Sequence, residues 1–335
     1  MKILIVGLGS IGQRHLRILK KVYNKKISIY TLSNSKNKRV IKDNFISFKV
    51  KSLLDYYKIK KIDISRINSE GINIAFICNP PHLHMRTALK LINQNCNLFI
   101  EKPLSTEKEI KKIKKIISIS KKKKLVVVCG YQFRFHPGVT YIKKIIDKNK
   151  MGKVLSGYFH YGEYTGAVKK FEKFENSIYV NKKKGGGALL AFSHHLHLAM
   201  YFFGKLKPKY SLLENTNNFK IDVEDMCKLI LRDKENRNFL FNLNFLDTPQ
   251  ENFFIINFKK GSIKWIYKKS LIKIKNYDKP KIKIIKLKNF KRNTMFETQD
   301  KDFIKKIKNK DLKNKSFLEG YEIIKLINKI KIKQN

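Results

Sequence analysis

The chain has 335 residues and carries 74 Lys and Arg against 26 Asp and Glu, which gives a formal net charge of +48. Its length exceeds the size at which one hydrophobic core usually stops growing, so we expect two domains. A hydrophobic content of 42% argues against a disordered chain. The charge would suit nucleic acid, but the lysines are spread over the whole length, so we expect a basic surface without a specific nucleic-acid site.

The cysteine spacing and the hydropathy of the sequence indicate the cellular location of the protein. The four cysteines show no CxxC pair and no regular spacing, which favours a reducing cytoplasm over a disulfide framework or a zinc site. The apolar N-terminus at residues 1–12 is too short and too rich in glycine for a signal peptide. The apolar stretch 188–203 contains three histidines and is short for a membrane span. We therefore expect a soluble cytoplasmic protein with no membrane partner.

Short apolar runs alternate with helical patterns over residues 1–130. The predicted strands are 2–6, 27–32, 72–78, 97–100 and 125–129, and the predicted helices are 11–22, 82–93 and 105–120. A short strand and one helix are expected within 45–66. This alternation predicts an α/β, doubly wound parallel sheet, as in a Rossmann domain.

The pattern changes in residues 131–335, which we assign to a second, α+β domain. The predicted strands are 154–161, 228–232, 239–246, 253–258, 262–267, 271–274 and 281–287. Few helices separate them, so a largely antiparallel sheet is expected, faced by a helix at 191–203. A final helix at 317–330 closes the chain.

A glycine-rich motif follows the first strand directly. Gly7, Gly9 and Gly12 form GxGxxG at the start of a helix, which is the context that dinucleotide binding requires. Gly7 allows the tight turn, Gly9 lets the backbone approach a pyrophosphate, and Gly12 allows close packing of helix on strand. The pyrophosphate would lie on the helix N-terminus, beside Ser10 and Ile11, where free N–H groups favour anions.

The end of the second strand predicts which nicotinamide cofactor binds. The acidic residue that usually holds the ribose 2′-hydroxyl is missing there. Small polar residues and cations take its place and suit a 2′-phosphate, so NADP is preferred over NAD. The residues concerned are Ser33, Asn34, Ser35, Lys36 and Arg39.

Six motifs, in order along the chain, give a resemblance to a known family. They are GLGSIGQRH at 7–15, CNPPHLH at 78–84, EKP at 101–103, YQFRFHP at 131–137, GGGALLAFSHHLH at 185–197 and IDVED at 221–225. This combination resembles the Gfo/Idh/MocA family, named for glucose–fructose oxidoreductase, inositol dehydrogenase and their relatives. The chain looks most like a branch associated with surface-polysaccharide and nonulosonic-acid sugar pathways.

The resemblance implies a Rossmann domain, a second domain with an open, mainly antiparallel sheet, and NAD(P)-dependent chemistry at a sugar carbon. It also implies a homodimer or homotetramer. Lys102 matches the EKP lysine, which in relatives lies near the nicotinamide, where an ammonium can stabilise a developing alkoxide. The remaining cofactor-binding residues that the resemblance implies are Asn79, Pro80, His84 and Glu101.

The second catalytic motif departs from the family pattern. Relatives commonly carry an Asp where this chain has Ala191, followed by a His that is retained as His194. We expect His194 to act as general acid and base and, with its neighbours, to bind substrate. His195 fits an alternative spacing, and His197 replaces the final acid. No matching carboxylate accompanies the histidines, so no metal is expected.

The segment after the strand at 125–129 supplies further candidates for substrate binding. Tyr131 and Arg134 could line the cleft, and Arg134 could grip a carboxylate or phosphate in a bidentate way. An interdomain salt bridge is an equal alternative for Arg134. The resemblance adds Tyr161 and Glu163 to the candidates.

These residues predict an NAD(P)-dependent oxidoreductase that transfers a hydride to or from a secondary alcohol carbon of a sugar, nucleotide sugar or similar polyol. Ala191 motivates an alternative, in which a catalytically impaired protein binds the dinucleotide and acts as a partner or sensor. A third hypothesis, association with nucleic acid, depends on the charge alone.

Overall fold

The computed structural model describes residues 1–32, 38–43, 46–164 and 177–332. They fall into two compact units. The first contains Met1–Tyr131 and Met295–Ile324, and the second contains the described residues of 132–294 and 325–332. The domain boundary at residue 130 stays a prediction. The packing of Met295–Ile324 with the N-terminal residues was not predicted from the sequence.

The first unit is built on a parallel sheet. Its strands are β1 (Lys2–Val6), β2 (Ser28–Thr31), β3 (Arg39–Ile41), β4 (Ser47–Lys49), β5 (Lys60–Lys61), β6 (Ile74–Ile77), β7 (Asn97–Glu101) and β8 (Val127–Gly130). Six of them pair in the order β5-β2-β1-β6-β7-β8, each pair parallel, whereas β3 and β4 form a separate antiparallel hairpin. The strands β1 and β6 are almost entirely buried, as expected for a sheet covered on both faces.

The helices of the first unit alternate with its strands, and further helices lie in the second unit and at the end of the chain. They are α1 (Ser10–Tyr23), α2 (Leu53–Tyr57), α3 (Pro81–Asn93), α4 (Ile110–Lys122), α5 (Pro137–Asp147), α6 (Ala188–Ala191), α7 (Ser193–Phe203), α8 (Arg292–Lys308) and α9 (Lys315–Ile332). Phe303 of α8 packs edge-on against Phe76 of β6, with ring centroids 5.5 Å apart. This contact explains why α8 belongs to the first unit although it lies late in the sequence.

The second unit is built on an eight-stranded sheet. Its strands are β9 (Val154–Gly162), β10 (Lys207–Glu214), β11 (Met226–Arg232), β12 (Asn238–Asn244), β13 (Glu251–Phe258), β14 (Gly261–Ile266), β15 (Leu271–Asn276) and β16 (Lys283–Lys286). They lie in the order β10-β11-β12-β9-β13-β14-β15-β16. All neighbours are antiparallel except β12 and β9, which are parallel.

Aromatic side chains form the core of the second unit on the face that carries α7. Phe159, at the centre of β9, stacks on Phe241 of β12, with ring centroids 5.0 Å apart, and packs near Phe254 of β13 at 5.5 Å. Phe202 of α7 meets Phe254 from above at 5.4 Å. Alternation of buried and half-exposed residues along β13 shows that only one face of this sheet is fully covered.

The predicted fold class is confirmed: a parallel Rossmann-type sheet precedes a mainly antiparallel sheet. Three long elements were not predicted, namely α5, β10 and α8. The uncertain segment 45–66 holds the predicted helix as α2 but two short strands rather than one. Within the described residues, no helix is both long and apolar enough to cross a membrane.

Candidate functional site

Three neighbouring strands of the first unit end at the same edge of the parallel sheet. The strands β1, β6 and β7 are adjacent, and the residues that follow them are the glycine turn, Asn79 and Lys102. Because ligands of open α/β sheets bind at the carboxyl ends of the strands, this edge is the candidate cofactor site. Within this site, the glycine turn lies against Asn79.

The glycine turn has no room for side chains at two of its three glycines. Gly7 has φ of +94°, and a Cβ there would lie 2.6 Å from the backbone nitrogen of Asn79. A Cβ on Gly12 would lie 1.9 Å from the carbonyl oxygen of Gly7. Gly9 differs, because a Cβ on it would meet nothing within 4 Å. The space over Gly9 is therefore open to a ligand.

The start of α1 suits an anion. Gly9 is the N-cap of this 14-residue helix and makes no side-chain capping hydrogen bond to the backbone N–H groups of the first turn. Ser10 and Ile11, both predicted to bind cofactor, are the first two residues of the helix. Free N–H groups, the helix dipole and open space over Gly9 together fit the pyrophosphate of a dinucleotide.

The segment predicted to select the cofactor is only partly described. Ser33, Asn34, Ser35 and Lys36 lie outside the described residues. Arg39 begins β3, where its carbonyl oxygen accepts a hydrogen bond from the Gln13 amide of α1 at 2.9 Å. The Gln13 carbonyl in turn accepts from the Ile41 backbone N–H at 2.8 Å. Gln13 thus fixes the backbone of the β3–β4 hairpin against the helix that starts at the glycine turn.

The backbone on both sides of Lys102 is held by hydrogen bonds. The Glu101 carboxylate accepts from the Lys102 backbone N–H at 3.1 Å. Beyond Lys102, the Nδ1 atom of His84 lies 3.0 Å from the Pro103 carbonyl oxygen, and its Nε2 atom lies 2.7 Å from the Asn79 carbonyl oxygen. Burial lowers the pKa of His84, so the ring is neutral and its one N–H donates to one of these two carbonyls, while the ring lies between the loop after β6 and the loop after β7. Lys102 itself is half-buried.

A buried charged network lies behind Glu101. The Nε2 atom of His15 contacts Glu101 at 3.0 Å, and its Nδ1 atom contacts both carboxylate oxygens of Asp300 at 2.9 Å. Burial alone would lower the pKa of His15, but the two carboxylates raise it to about 9. His15 is therefore an imidazolium near neutral pH and donates both N–H groups.

Two residues predicted to bind cofactor, Glu101 and His84, face other groups of the protein. Both carboxylate oxygens of Glu101 are used inside the protein, and so are both ring nitrogens of His84. These contacts favour a supporting role, in which Glu101 and His84 position the loops after β6 and β7 at the candidate cofactor site. Direct cofactor contact by either residue stays a prediction.

In the second unit, His194 lies at the start of α7 beside the segment that precedes α5. Its Nε2 atom accepts a hydrogen bond from the Gln132 amide at 3.4 Å, and its ring packs on Phe133 at 4.7 Å. Phe133 also contacts Tyr267, which follows β14, at 5.1 Å. The Gln132 amide and the Phe133 ring thus both contact His194.

The three histidines of α7 have different surroundings. His195 faces the sheet, where Nε2 donates to the Phe253 carbonyl oxygen at 3.3 Å, and burial lowers its pKa to about 3. His195 is therefore a neutral core residue. His197 is buried and lies parallel to the ring of Tyr201, 6.1 Å away. His194 and His197 lie at i and i+3 on one side of α7, whereas His195 faces the sheet.

The surroundings of Gly187, just before α6, require a glycine. Gly187 has φ of +107°, and a Cβ there would lie 2.2 Å from Oε1 of Glu224. The backbone N–H of Ala188 donates to the Glu224 carbonyl at 2.9 Å, so the turn is fixed to the segment before β11. Ala191 ends α6 and is buried, so no carboxylate occupies the position where relatives carry Asp.

The other candidates for substrate binding lie near aromatic rings. The Arg134 guanidinium lies over the ring of Tyr201 at 4.9 Å, whereas Tyr131 belongs to the first unit and is fully buried. Tyr161, on β9, packs on Phe192 at 4.2 Å. Burial raises the pKa of Tyr161, and the nearby carboxylate of Glu163 adds to the effect.

Sequence reasoning missed His15 and Asp300. His15 stands in the quoted glycine motif but received no role, and Asp300 lies in a helix that was not predicted. A signal was available for His15, because it falls on the stripe of α1 that also buries Leu16 and Leu19. A titratable residue on a buried helix stripe indicates a buried partner.

Comparison with known proteins agrees with this geometry. Residues 1–131 match the family model described as an oxidoreductase family with an NAD-binding Rossmann fold, and residues 139–264 match the GFO/IDH/MocA C-terminal domain. The fold and the glycine turn place the chain in the class of proteins that have a dinucleotide-binding Rossmann domain. Within that class the chain belongs to the Gfo/Idh/MocA family, and the resemblance of its motifs is confirmed.

The curated relatives are distant and partly aligned. A 2,7-anhydro-N-acetylneuraminate hydratase of Mediterraneibacter gnavus is 23% identical over 58% of this chain and 51% of its own. Inositol 2-dehydrogenase of Salmonella typhimurium is 27% identical over 52% of this chain and 49% of its own. Glucose-6-phosphate 3-dehydrogenase of Bacillus subtilis is 25% identical over 60% and 53%. The chain thus spans about half the length of these relatives.

Solved structures match over nearly the full length. A levoglucosan dehydrogenase in complex with NADH superposes with a TM-score of 0.81 at 18% identity, covering 99% of this chain and 96% of that one. GenD2 from gentamicin A biosynthesis, in complex with NAD, gives a TM-score of 0.79 at 12% identity, covering 99% and 93%. At these identities the likeness establishes the fold alone.

Proposed function

We propose that the protein is an NAD(P)-dependent dehydrogenase or reductase that transfers a hydride to or from a secondary alcohol carbon of a sugar, nucleotide sugar or similar polyol. Lys102 stabilises the reacting oxygen in this proposal, and His194 accepts or returns the proton. The observation that carries it is the meeting of the glycine turn, Asn79 and Lys102 at the carboxyl ends of three adjacent parallel strands.

The proposed chemistry follows from the residues on each unit. The bound dinucleotide supplies the carbon that exchanges the hydride. The α1 N-terminus binds its pyrophosphate, with Gly9 leaving room for the approach. The ammonium of Lys102 can donate a hydrogen bond to an alkoxide that develops when the alcohol is oxidised. The Gln132 amide holds the Nε2 atom of His194 as an unprotonated acceptor, and His194 acts as a general base when the substrate hydroxyl replaces this long hydrogen bond.

The preference for NADP is a separate part of the proposal. It is supported by Arg39, held in place by Gln13, and by the absence of an acidic residue from the described end of β2. A fluorescence titration with NADPH and NADH at physiological salt tests it. Tighter binding of NADPH is expected. A reversed preference would contradict the assignment of Arg39 and its neighbours to a 2′-phosphate, while leaving the enzyme proposal in place.

The reaction itself is tested by a substrate panel. The purified protein is incubated with NADP⁺ or NAD⁺ and with inositol, levoglucosan, glucose 6-phosphate, 2,7-anhydro-N-acetylneuraminate or a UDP-linked hexose. The names of the relatives motivate the first four compounds. Formation of reduced nicotinamide with at least one of them is expected to depend on His194. Binding of the cofactor without turnover for every compound would contradict the proposal.

Ala191 supports a second candidate function. Because this position lacks the carboxylate that relatives carry, a dinucleotide-binding protein with impaired catalysis is the alternative. The substitution Ala191→Asp distinguishes the two. If it creates turnover that the parent chain lacks, the impaired protein is the better description; if the parent already turns over, this alternative is excluded.

Self-association is also part of the proposal. The sheet face opposite α7 carries half-exposed apolar residues at alternate positions, among them Tyr158, Phe253 and Ile255, and Leu240 on β12 is 47% exposed. Such a face is suited to a homodimer or homotetramer. Leu240→Lys should lower the mass measured by light scattering after gel filtration, and a parent that runs as a monomer would contradict the assignment.

A further inference from the structure

We infer that His15, held between Asp300 and Glu101, is a positioning residue that fixes the backbone of Lys102. The inference rests on the proposed function only for its catalytic consequence, because the network itself is a property of the fold. His15 acts through Glu101 and does not touch the reacting atoms.

The network connects three elements of the first unit to the residue proposed to stabilise the reacting oxygen. His15 lies on α1, Glu101 ends β7 and Asp300 lies on α8. The chain of contacts runs from Asp300 to His15 at 2.9 Å, from His15 to Glu101 at 3.0 Å, and from the Lys102 backbone N–H to Glu101 at 3.1 Å. The helix that begins at the glycine turn is thereby joined to the backbone of Lys102.

Stability alone does not account for burying these groups. The exposed fractions of His15, Glu101 and Asp300 are 0%, 5% and 1%. Replacing a buried ion network by apolar side chains of similar volume is often neutral or stabilising, whereas removing one member leaves an uncompensated charge. An apolar core cannot provide an acceptor for the backbone N–H of Lys102. The Glu101 carboxylate provides one, and its hydrogen bond with His15 fixes the orientation of that carboxylate.

The surroundings leave the Glu101 side chain little freedom. A Cβ on Gly130, the partner of Glu101 in the sheet, would lie 2.9 Å from Oε1 of Glu101. Around His15, the rings of Phe76 and Phe99 have centroids 5.3 and 5.0 Å away. The packed rings exclude water from the imidazolium, so its hydrogen bonds to the carboxylates have no competing partner.

The contacts from His84 complete the fixation. Glu101 accepts from the Lys102 backbone N–H, and the Nδ1 atom of His84 lies 3.0 Å from the Pro103 carbonyl oxygen just after Lys102. A displacement of about 1 Å at a catalytic group, even when its cause is remote, can lower a rate about 100-fold. Loosening one side of Lys102 should therefore lower turnover while the amino group is still present.

Two variants and a matched control test the inference. His15→Gln and Asp300→Asn keep the approximate shape of the network but remove a charge from it. Asp233→Asn is the control, because Asp233 is also a buried carboxylate, accepts hydrogen bonds from the Arg237 guanidinium and the Glu235 backbone N–H, and lies in the second unit. The readouts are hydrogen exchange at the Lys102 amide, the Kd for NADH, and kcat and KM for the best compound of the panel.

If His15 positions Lys102, both network variants speed exchange at the Lys102 amide at least about 10-fold, as expected when a protecting bond is lost. They lower kcat about 10- to 100-fold, with KM and the Kd for NADH nearly unchanged. The control should lower the melting temperature without either effect. Unchanged Lys102 exchange, or a network effect limited to the melting temperature, would overturn the inference. Should the parent show no turnover at all, the proposed function fails and the exchange measurement alone decides the role of His15.

Discussion

Exchanging glycine for alanine at two positions of the glycine turn separates cofactor binding from folding. Gly9 and Gly12 are three residues apart, yet a Cβ meets nothing within 4 Å at Gly9 and lies 1.9 Å from the Gly7 carbonyl at Gly12. Gly9 has φ of −75° and ψ of −170°, which alanine adopts without strain. We therefore expect Gly9→Ala to affect the ligand and Gly12→Ala to affect the fold.

The magnitudes follow from what each methyl group displaces. Alanine at the N-cap in place of glycine costs about 1 kcal/mol or less of stability. The same methyl occupies the space that a pyrophosphate needs above the first turn of α1. Losing one hydrogen bond to a charged group costs roughly 1.5–3 kcal/mol, which corresponds to about 10- to 100-fold in Kd. For Gly12→Ala, overpacking against the turn should cost at least about 1–3 kcal/mol of unfolding free energy.

The assay pairs a fluorescence titration with NADH and NADPH with a thermal melt of each variant without ligand. Gly9→Ala should melt close to the parent and bind both dinucleotides more weakly. Gly12→Ala should melt clearly lower. An unchanged Kd in a folded Gly9→Ala protein would refute the placement of the pyrophosphate over this turn.

Three further predictions concern the histidines and the hairpin. His194→Ala should lower kcat by about 100-fold or more, whereas His195→Gln should lower the melting temperature and leave kcat nearly unchanged; equal losses of kcat would contradict the separate surroundings of the two rings. Arg39→Gln should weaken NADPH binding about 10-fold through loss of a charged hydrogen bond while sparing NADH, so an equal loss for both argues against a 2′-phosphate contact. The folded-state pKa of His15 is raised from 6.5 to about 9, so its stabilisation is complete below about pH 6.5 and is lost as the pH rises through about 9. Urea titrations should show this fall in the parent and a smaller one in His15→Gln, and equal slopes would refute the charge assignment.

The sequence predicts the glycine turn well because its requirements are local. The residues that make the turn are consecutive, and the strand and helix around it have clear apolar patterns. Gly7 and Gly12 are needed because the backbone passes too close for any side chain, and the spacing of the motif between a strand and a helix indicates this on its own. The NPP and EKP loops follow in the same way from the ends of buried strands.

The network behind Lys102 could not be predicted from local patterns. His15 and Asp300 are 285 positions apart, and the second lies on α8, whose weak apolar periodicity did not indicate a helix. Only the packing of α8 on the N-terminal sheet brings the carboxylate to the imidazole.

The division of roles between His194 and His195 also depends on tertiary contacts. The two residues are neighbours on α7, and nearly every residue of this helix is buried. A helix that is apolar on all sides has no polar face from which its rotation could be derived. The hydrogen bond from His195 to Phe253 fixes the rotation and leaves His194 on the side of Gln132 and Phe133.

The central claim is that Lys102 serves the chemistry of a nicotinamide-dependent reaction, and Lys102→Met tests it most directly. Methionine keeps much of the length of the side chain but has no ammonium, so it removes stabilisation of the reacting oxygen without filling the cofactor site. With the best compound of the panel, we expect formation of reduced nicotinamide to fall below detection while the Kd for NADPH and NADH stays close to that of the parent. Turnover by Lys102→Met at a rate near that of the parent would contradict it.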